Sequence, residues 1–315
     1  MLRLLFALLL VAAPAHAQIR TLDSVPEAQL IRVELSPAGG LVGAIFHPPG
    51  GALRPGLLVL GGSEGGLDGA AGLARPLAAQ GYVTLALAYF GTAGVPATLE
   101  EIPLEYFDRA IERLRHEPGV DPDRIAVIGG SKGAEAALLI ATRRHDLAAV
   151  VAVAPSDSVW QGINRKAPVP RSSWTSEGRP LPFLAFDRSR PFVSLLDLYA
   201  RSRPEAGPGA AAIPVERISA PLLLLAGEQD ALWPSAMMVR AMGGRLGEAH
   251  FALEFRHAEF ADAGHAILGA PVTADRAAML VEDGGTAEGN LRARQVSWWI
   301  IQRFLYRNLA EKAAR

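Results

Sequence analysis

The feature that most restricts the fold of this chain is a repeated alternation. Short runs that are almost wholly apolar are each followed by a longer stretch with helical periodicity. Gly56–Leu60, Tyr82–Tyr89, Arg124–Ile128 and Leu147–Val153 are the apolar runs, as expected of strands buried on both faces. Between them Ala70–Gln80, Leu104–His116 and Lys132–Arg144 read as helices. In the second of these Phe107, Ala110, Ile111 and Leu114 fall on one helical face. The third is nearly all apolar, as a helix buried all round would be. Leu222–Leu225 and Phe251–Phe255 predict two further strands, and Val296–Asn308 a closing helix. At the other end Leu30–Leu35 and Leu41–Phe46 flank the turn Pro37-Ala38-Gly39-Gly40, a hairpin signal. Neighbouring parallel strands need long crossovers, so the pattern predicts an α/β fold with a doubly wound, mostly parallel sheet.

The first residues stand apart from that pattern. Met1-Leu2-Arg3 is a short basic start, Leu4–Ala13 is apolar, and Pro14 precedes Ala15-His16-Ala17. This predicts a secretory signal peptide over residues 1–17, cleaved after Ala17. The apolar run is shorter than the roughly 20 residues that span a bilayer. No twin-arginine pair occurs within residues 1–17, so the general export route and a periplasmic or secreted location are expected. Residues 18–315 then form a single domain. Within it, residues 156–219 interrupt the alternation with many Pro, Arg, Ser and Gly. So long a connection inside a compact domain is usually functional, and it is read as a cap-like excursion over the carboxyl edge of the sheet, where ligands bind.

Composition removes several classes of function. There are 31 Lys+Arg against 32 Asp+Glu, for a net charge of −1, which argues against nucleic acid as a partner. The absence of cysteine excludes disulfides, a thiol nucleophile and thiolate metal sites. His250 and His257 lack a third ligand at suitable spacing, so no metal is expected. Gly61–Gly66 is glycine-rich without the G-K-[ST] ending of a phosphate-binding loop, and no cofactor is expected. Oligomeric state is open.

Two segments match G-x-S-x-G: Gly61-Gly62-Ser63-Glu64-Gly65 and Gly129-Gly130-Ser131-Lys132-Gly133. A nucleophile elbow is a sharp turn from strand to helix. Ser131 has that context, with Arg124–Ile128 before it and an unbroken helical stretch after it. Ser63 does not, because Gly65, Gly66 and Gly69 disfavour a helix start. Ser131 is therefore the candidate nucleophile; its alternative role is to cap the next helix. An oxyanion hole needs one N–H after the nucleophile and another from an earlier loop. Lys132 supplies the first, and Ser63 or Glu64 the second. The serine needs a base, and the base an orienting acid. Asp230 follows the strand Leu222–Leu225, with Glu228 as the rival acid. His265 lies in a loop of small residues after the last strand, with His257 as the rival base. Trp160, Trp174 and Phe183 in the excursion are candidate acyl-pocket residues.

At these residues the chain resembles the α/β-hydrolase superfamily, dienelactone-hydrolase-like. More narrowly, it resembles the carboxy-terminal domain of acyl-CoA thioester hydrolases and bile acid-CoA:amino acid N-acyltransferases. The matching pieces are Leu60-Gly61-Gly62-Ser63-Glu64-Gly65-Gly66, Leu85–Gly91, Ile102-Pro103-Leu104-Glu105-Tyr106-Phe107 and Ile128-Gly129-Gly130-Ser131-Lys132-Gly133-Ala134-Glu135. Asp230–Ser235, Gly264-His265 and Gly284-Gly285-Thr286 complete them. The resemblance implies Ser131, Asp230 and His265 as a triad. The family's transferases use cysteine at the nucleophile position, whereas this chain has serine, which favours transfer of the acyl group to water. The expectation is an exported serine hydrolase of small acyl esters or thioesters. The alternatives are an acyltransferase with an amine or alcohol acceptor, and a non-catalytic binding protein on the same scaffold.

Overall fold

The computed structural model describes residues 22–164 and 169–311; the expected signal peptide lies outside the described residues. In chain order the strands and helices are β1 (Ile31–Leu35), β2 (Val42–His47), β3 (Arg54–Leu60), α1 (Asp68–Ala79), β4 (Val83–Ala88), β5 (Ile102–Pro103) and α2 (Leu104–Arg115). Then follow β6 (Val120–Gly130), α3 (Lys132–Arg143), β7 (Ala149–Val153), β8 (Trp174–Ser176), β9 (Arg179–Pro180) and α4 (Leu195–Ser202). The chain closes with β10 (Leu222–Gly227), α5 (Ser235–Glu248), β11 (Phe255–Phe260), α6 (Ala274–Met279) and α7 (Ala287–Tyr306).

Eight strands form one sheet in the order β1-β2-β4-β3-β6-β7-β10-β11. The pairs β1–β2 and β2–β4 are antiparallel, and every later pair is parallel. Alternate residues of the central strands face opposite layers, as the two-residue period of a strand requires. Leu58, Leu60, Leu85, Val127, Val150 and Leu224 pack toward α2, α3 and α5. Leu57, Val59, Ala86, Ala126, Val151 and Leu225 pack toward α1 and α7. The doubly wound expectation holds, and most elements fall within one or two residues of the predicted ranges.

Several elements differ, among them β6, which begins four residues earlier than read, at Val120. The last strand is Phe255–Phe260, not Phe251–Phe255. It is an edge strand, so its residues are half exposed and its sequence carries no apolar run. Phe251 instead donates its N–H to Leu246 O at 3.0 Å in the turn after α5 and packs beneath the sheet. The closing helix starts at Ala287 rather than Val296, where the Thr286 hydroxyl caps it by accepting from Gly289 N–H at 3.0 Å. Helix α5 escapes the sequence reading because Gly243, Gly244 and Gly247 lower its local propensity.

Residues 156–164 and 169–219 leave the carboxyl end of β7 and form a packed layer. β8 pairs with β5 and β9 in a small second sheet. Trp160, Leu184, Tyr199 and Ala211 form a third cluster with Trp233 and Met238. A polar network stitches this layer to α3. Lys132 and Glu135 are both wholly buried, with Lys132 Nζ 2.6 Å from Glu135 Oε2. Lys132 Nζ also donates to Ser173 Oγ at 2.8 Å. The other carboxylate oxygen, Glu135 Oε1, accepts from Trp160 N–H at 3.1 Å and Trp174 Nε1–H at 2.7 Å. Burial pushes the Lys132 ammonium down from its ordinary pKa, and the Glu135 carboxylate opposes that shift. Removing one partner of such a pair strands a buried charge. Glu135→Leu should therefore lower unfolding free energy by about 3–5 kcal/mol, read as a shift in urea midpoint. An unchanged midpoint would mean the excursion is held by apolar packing alone.

Candidate active site

The loops after β3, β6, β10 and β11 converge at the carboxyl edge of the sheet. Ser131 sits between β6 and α3 with φ 54° and ψ −123°. Positive φ in a non-glycine residue is strained, at a cost of order 1–3 kcal/mol. The turn is fixed by Ser131 N–H donating to Val153 O at 2.9 Å and Ser131 O accepting from Ala134 N–H at 2.9 Å. The Ser131 side chain makes no capping hydrogen bond to α3, so the helix-cap role does not account for it. Ser63, by contrast, is exposed in a turn without strained backbone.

The loop after β3 lies directly against the elbow. A Cβ on Gly62 would come 3.2 Å from Ser131 Cβ. Glu64 folds back so that its Oε1 accepts from Gly62 N–H at 2.9 Å. That bond occupies Gly62 N–H. The N–H groups of Lys132, Ser63 and Glu64 have no acceptor among the described residues. The tyrosine Tyr89 buttresses the loop from below, donating to Gly61 O at 2.7 Å. Burial, with the charges of Glu64 and Glu135, raises its phenol well above the ordinary pKa, so it remains a donor.

Asp230 follows β10 and is nearly buried. Its Oδ1 accepts from Leu232 N–H at 2.9 Å and Trp233 N–H at 3.2 Å. Its Oδ2 accepts from Ser235 Oγ–H at 2.6 Å and lies 2.8 Å from His265 Nδ1. A carboxylate at Nδ1 makes that nitrogen the protonated one and leaves Nε2 as the acceptor. The His265 backbone is held in turn, its N–H donating to Asp283 O at 2.9 Å. Asn290 on α7 accepts from Gly264 N–H at 2.8 Å and donates to Gly284 O at 3.0 Å. Trp233 meets the imidazole edge to face, with centroids 5.8 Å apart.

Ser131 and His265 open onto one cleft of about 710 Å³, shared with Gly62, Glu64, Leu268, Val272, Arg276 and Arg294. The ring of His265 bonds Asp230, and the Ser131 hydroxyl has no hydrogen-bond partner among the described residues. The rivals lie elsewhere. Glu228 is engaged by Arg240 at 2.6 Å. His257 lies within β11 and pairs with Glu259 at 2.8 Å. No His/Cys/Asp/Glu cluster suited to a metal ion occurs among the described residues.

The candidate acyl-pocket residues need correction. Trp160 and Trp174 are wholly buried and serve as donors to Glu135. Trp174 also packs against Tyr89 and Phe107, with centroids 5.8 and 5.9 Å away. Phe183 packs half-buried against the larger core. None of the three lines the cleft that holds Ser131. Aromatic composition does not distinguish a pocket wall from a core. Of the residues that sequence reasoning missed, Ser235, Asn290 and Arg294 join the site through hydrogen bonds across 5 to 28 positions, and Arg276 only lines the cleft, so none leaves a local pattern.

Residues 102–311 match the family model described as BAAT / acyl-CoA thioester hydrolase C terminal. Human acyl-coenzyme A thioesterase 1 is 29% identical over 293 residues, covering 89% of this chain and 66% of that protein. Mouse acyl-coenzyme A amino acid N-acyltransferase 1 is also 29% identical, with 88% and 65% covered. The chain thus spans just under two thirds of the length of these relatives. Among solved structures, a dienelactone hydrolase-like promiscuous phosphotriesterase from metagenomic libraries has a TM-score of 0.52 at 17% identity, covering 89% of this chain and 98% of that one. A puromycin-hydrolyzing peptidase of Mycobacterium tuberculosis has a TM-score of 0.56 at 14% identity, with 89% and 39% covered. These likenesses show the α/β-hydrolase fold.

The geometry makes a direct forecast about reactivity. A fluorophosphonate probe should modify Ser131 in the wild-type protein, with the peptide mapped by mass spectrometry. The modification should be lost in His265→Ala. Label on Ser63 instead would reverse the assignment of elbow and oxyanion loop.

Proposed function

The chain belongs to the BAAT / acyl-CoA thioester hydrolase C-terminal family, and on that premise we propose that it is an exported serine hydrolase of acyl esters or thioesters. The observation that carries the reading is the strained Ser131 elbow opening onto the same cleft as a histidine that a buried aspartate orients. The N-terminal pattern of residues 1–17 supports export. The relatives named as thioesterases support the bond type.

In the proposed reaction the Ser131 oxygen attacks the substrate carbonyl carbon as His265 Nε2 takes its proton. The carbonyl oxygen becomes an oxyanion held by Lys132 N–H and an N–H of Ser63 or Glu64, placed where charge develops rather than where it begins. Collapse expels the thiol or alcohol, which receives the proton from His265. Water then attacks the acyl-serine as His265 Nε2 takes its proton, and collapse returns that proton to the Ser131 oxygen as the acid leaves. Asp230 stays ionised throughout, keeping the imidazole in the right tautomer and stabilising its protonated form. Every proton moves between Ser131, the leaving group, water and one ring nitrogen, and no metal or cofactor enters this scheme.

A second reading is transfer of the acyl group to an amine or alcohol, favoured by the relatives named as N-acyltransferases. Serine at position 131 favours hydrolysis, because its acyl-enzyme is an oxygen ester that water readily resolves. Both readings require the nucleophile. Ser131→Ala should lower kcat for acyl thioester turnover by several orders of magnitude, roughly 10⁴ or more, with an unchanged circular dichroism spectrum. Full activity in that variant would remove the acyl-serine. Product analysis with added glycine, taurine or an alcohol separates the two fates: free acid alone supports hydrolysis, and an amide or new ester supports transfer.

A further inference from the structure

The far wall of the active cleft carries two cations that no carboxylate neutralises. Arg294, on α7, is largely buried against the loop that follows His265. Its Nη1 donates to Ala266 O at 3.0 Å, and its Nε and Nη2 donate to Ala270 O at 3.3 and 3.1 Å. These acceptors are neutral carbonyls. A guanidinium bonded only to carbonyls keeps its full charge and loses much of its hydration, an arrangement that is costly without a counter-charge. The neighbouring charge that bears on Arg294 is Arg276, on α6, and being of like sign it deepens the effect of burial in pulling Arg294 below its ordinary pKa. Arg276 is exposed, and its guanidinium has one weak contact, with Met279 Sδ at 3.7 Å. Neither arginine forms an ion pair among the described residues.

The site is shaped around this charge. Gly269 adopts φ +123°, and a Cβ there would lie 2.3 Å from Arg294 Nη2. Only a glycine lets the loop fold over the guanidinium. Both arginines line the same cleft as Ser131 and His265. The carboxylates that share the lining do not answer them. Glu64 is turned toward Gly62 N–H, and neither Asp68 nor Asp283 comes within ion-pair distance of either arginine.

We propose that Arg276, backed by Arg294, binds an anionic group of the substrate, so that this enzyme prefers acyl esters or thioesters carrying a carboxylate or phosphate remote from the reacting carbonyl. The inference rests on the hydrolase reading and adds a substrate class to it. An oxyanion from the substrate supplies the counter-charge that the fold withholds, and the paired donors of a guanidinium suit a carboxylate or phosphate. The anion has two possible positions. On the acyl portion it is a carboxylate, as in a dicarboxylic half-ester. On the leaving group it is a phosphate, as in a phosphorylated thiol.

Two matched substrate pairs distinguish them. p-Nitrophenyl hemisuccinate against p-nitrophenyl butyrate places or removes a carboxylate on the acyl side. S-butyryl phosphopantetheine against S-butyryl pantetheine places or removes a phosphate on the thiol side. The readout is the ratio of kcat/KM within each pair. In Arg276→Gln at least one ratio should fall by about tenfold to a hundredfold, the value of a charge-assisted hydrogen bond, and Arg276→Lys should recover part of it. A fall in the first pair assigns a carboxylate on the acyl group; a fall in the second assigns a phosphate on the leaving group. Ratios unmoved in both pairs, with turnover still dependent on Ser131, would overturn the proposal and leave the hydrolase reading intact. If the wild type shows no Ser131-dependent turnover at all, the hydrolase reading fails instead. Thermal denaturation with inorganic phosphate or succinate, at ionic strength matched with chloride, then decides the anion site. A rise in Tm in the wild type that is absent in Arg276→Gln supports it, and equal behaviour overturns it.

Discussion

Everything at the carboxyl edge depends on how closely three backbone segments meet at the turn between β6 and α3. A Cβ on Gly129 would lie 2.1 Å from Gly133 O, and one on Gly133 would lie 2.2 Å from Gly61 O. The end of β3, the end of β6 and the start of α3 therefore touch main chain to main chain. That contact lets Ser131 keep its left-handed backbone, because the strands on either side over-determine its position. It also presses the 61–66 loop against Ser131. Strain at Ser131 and the close approach of that loop have the same steric origin.

The base is positioned by a different mechanism. His265 belongs to an irregular connection between β11 and α6, outside any helix or strand. Hydrogen bonds replace regular structure there. Asp230 fixes the ring, Asp283 fixes the backbone, and Asn290 ties Gly264 to Gly284. The Gly284-Gly285-Thr286 turn bridges Asp230 and Ala263, which joins the acid and base loops into one unit. The His265 loop, one to five residues further on, wraps the Arg294 guanidinium. Proton transfer and the unneutralised charge of the cleft thus share a scaffold.

The parts of this arrangement visible in the sequence are those with local causes. A buried strand, a tight turn and a buried helix are contiguous around Ser131, and each announces itself by composition. Asp230 and His265 were legible because each follows a strand with small residues around it. The last strand was misplaced by five residues or so because an edge strand has one wet side and mimics a loop. Sequence reading takes Trp160 and Trp174 for a pocket wall because a buried aromatic donor has the same composition; only their buried acceptors, Ser156 Oγ for the Trp160 indole and Glu135 for the Trp174 indole, tell them apart. Asn290 and Arg294 gave no signal, since their partners lie 6 to 28 positions away in an irregular loop. Long-range polar contacts are set by topology, which periodicity does not encode.

The role of Asn290 has a consequence in time. The proposed nucleophile, acid and base occur in the order of synthesis, and the residue that steadies the His265 loop comes last, on the helix that also covers one face of the sheet. A ribosome that has emerged Ser131 has made a serine with no partner, and one that has emerged His265 has made a histidine on an untethered loop. The tie between Gly264 and Gly284 is complete only when α7 is in place. On the proposed reading of an exported hydrolase, a chain that crosses a membrane unfolded would carry its reactive residues unassembled on the side where it is made.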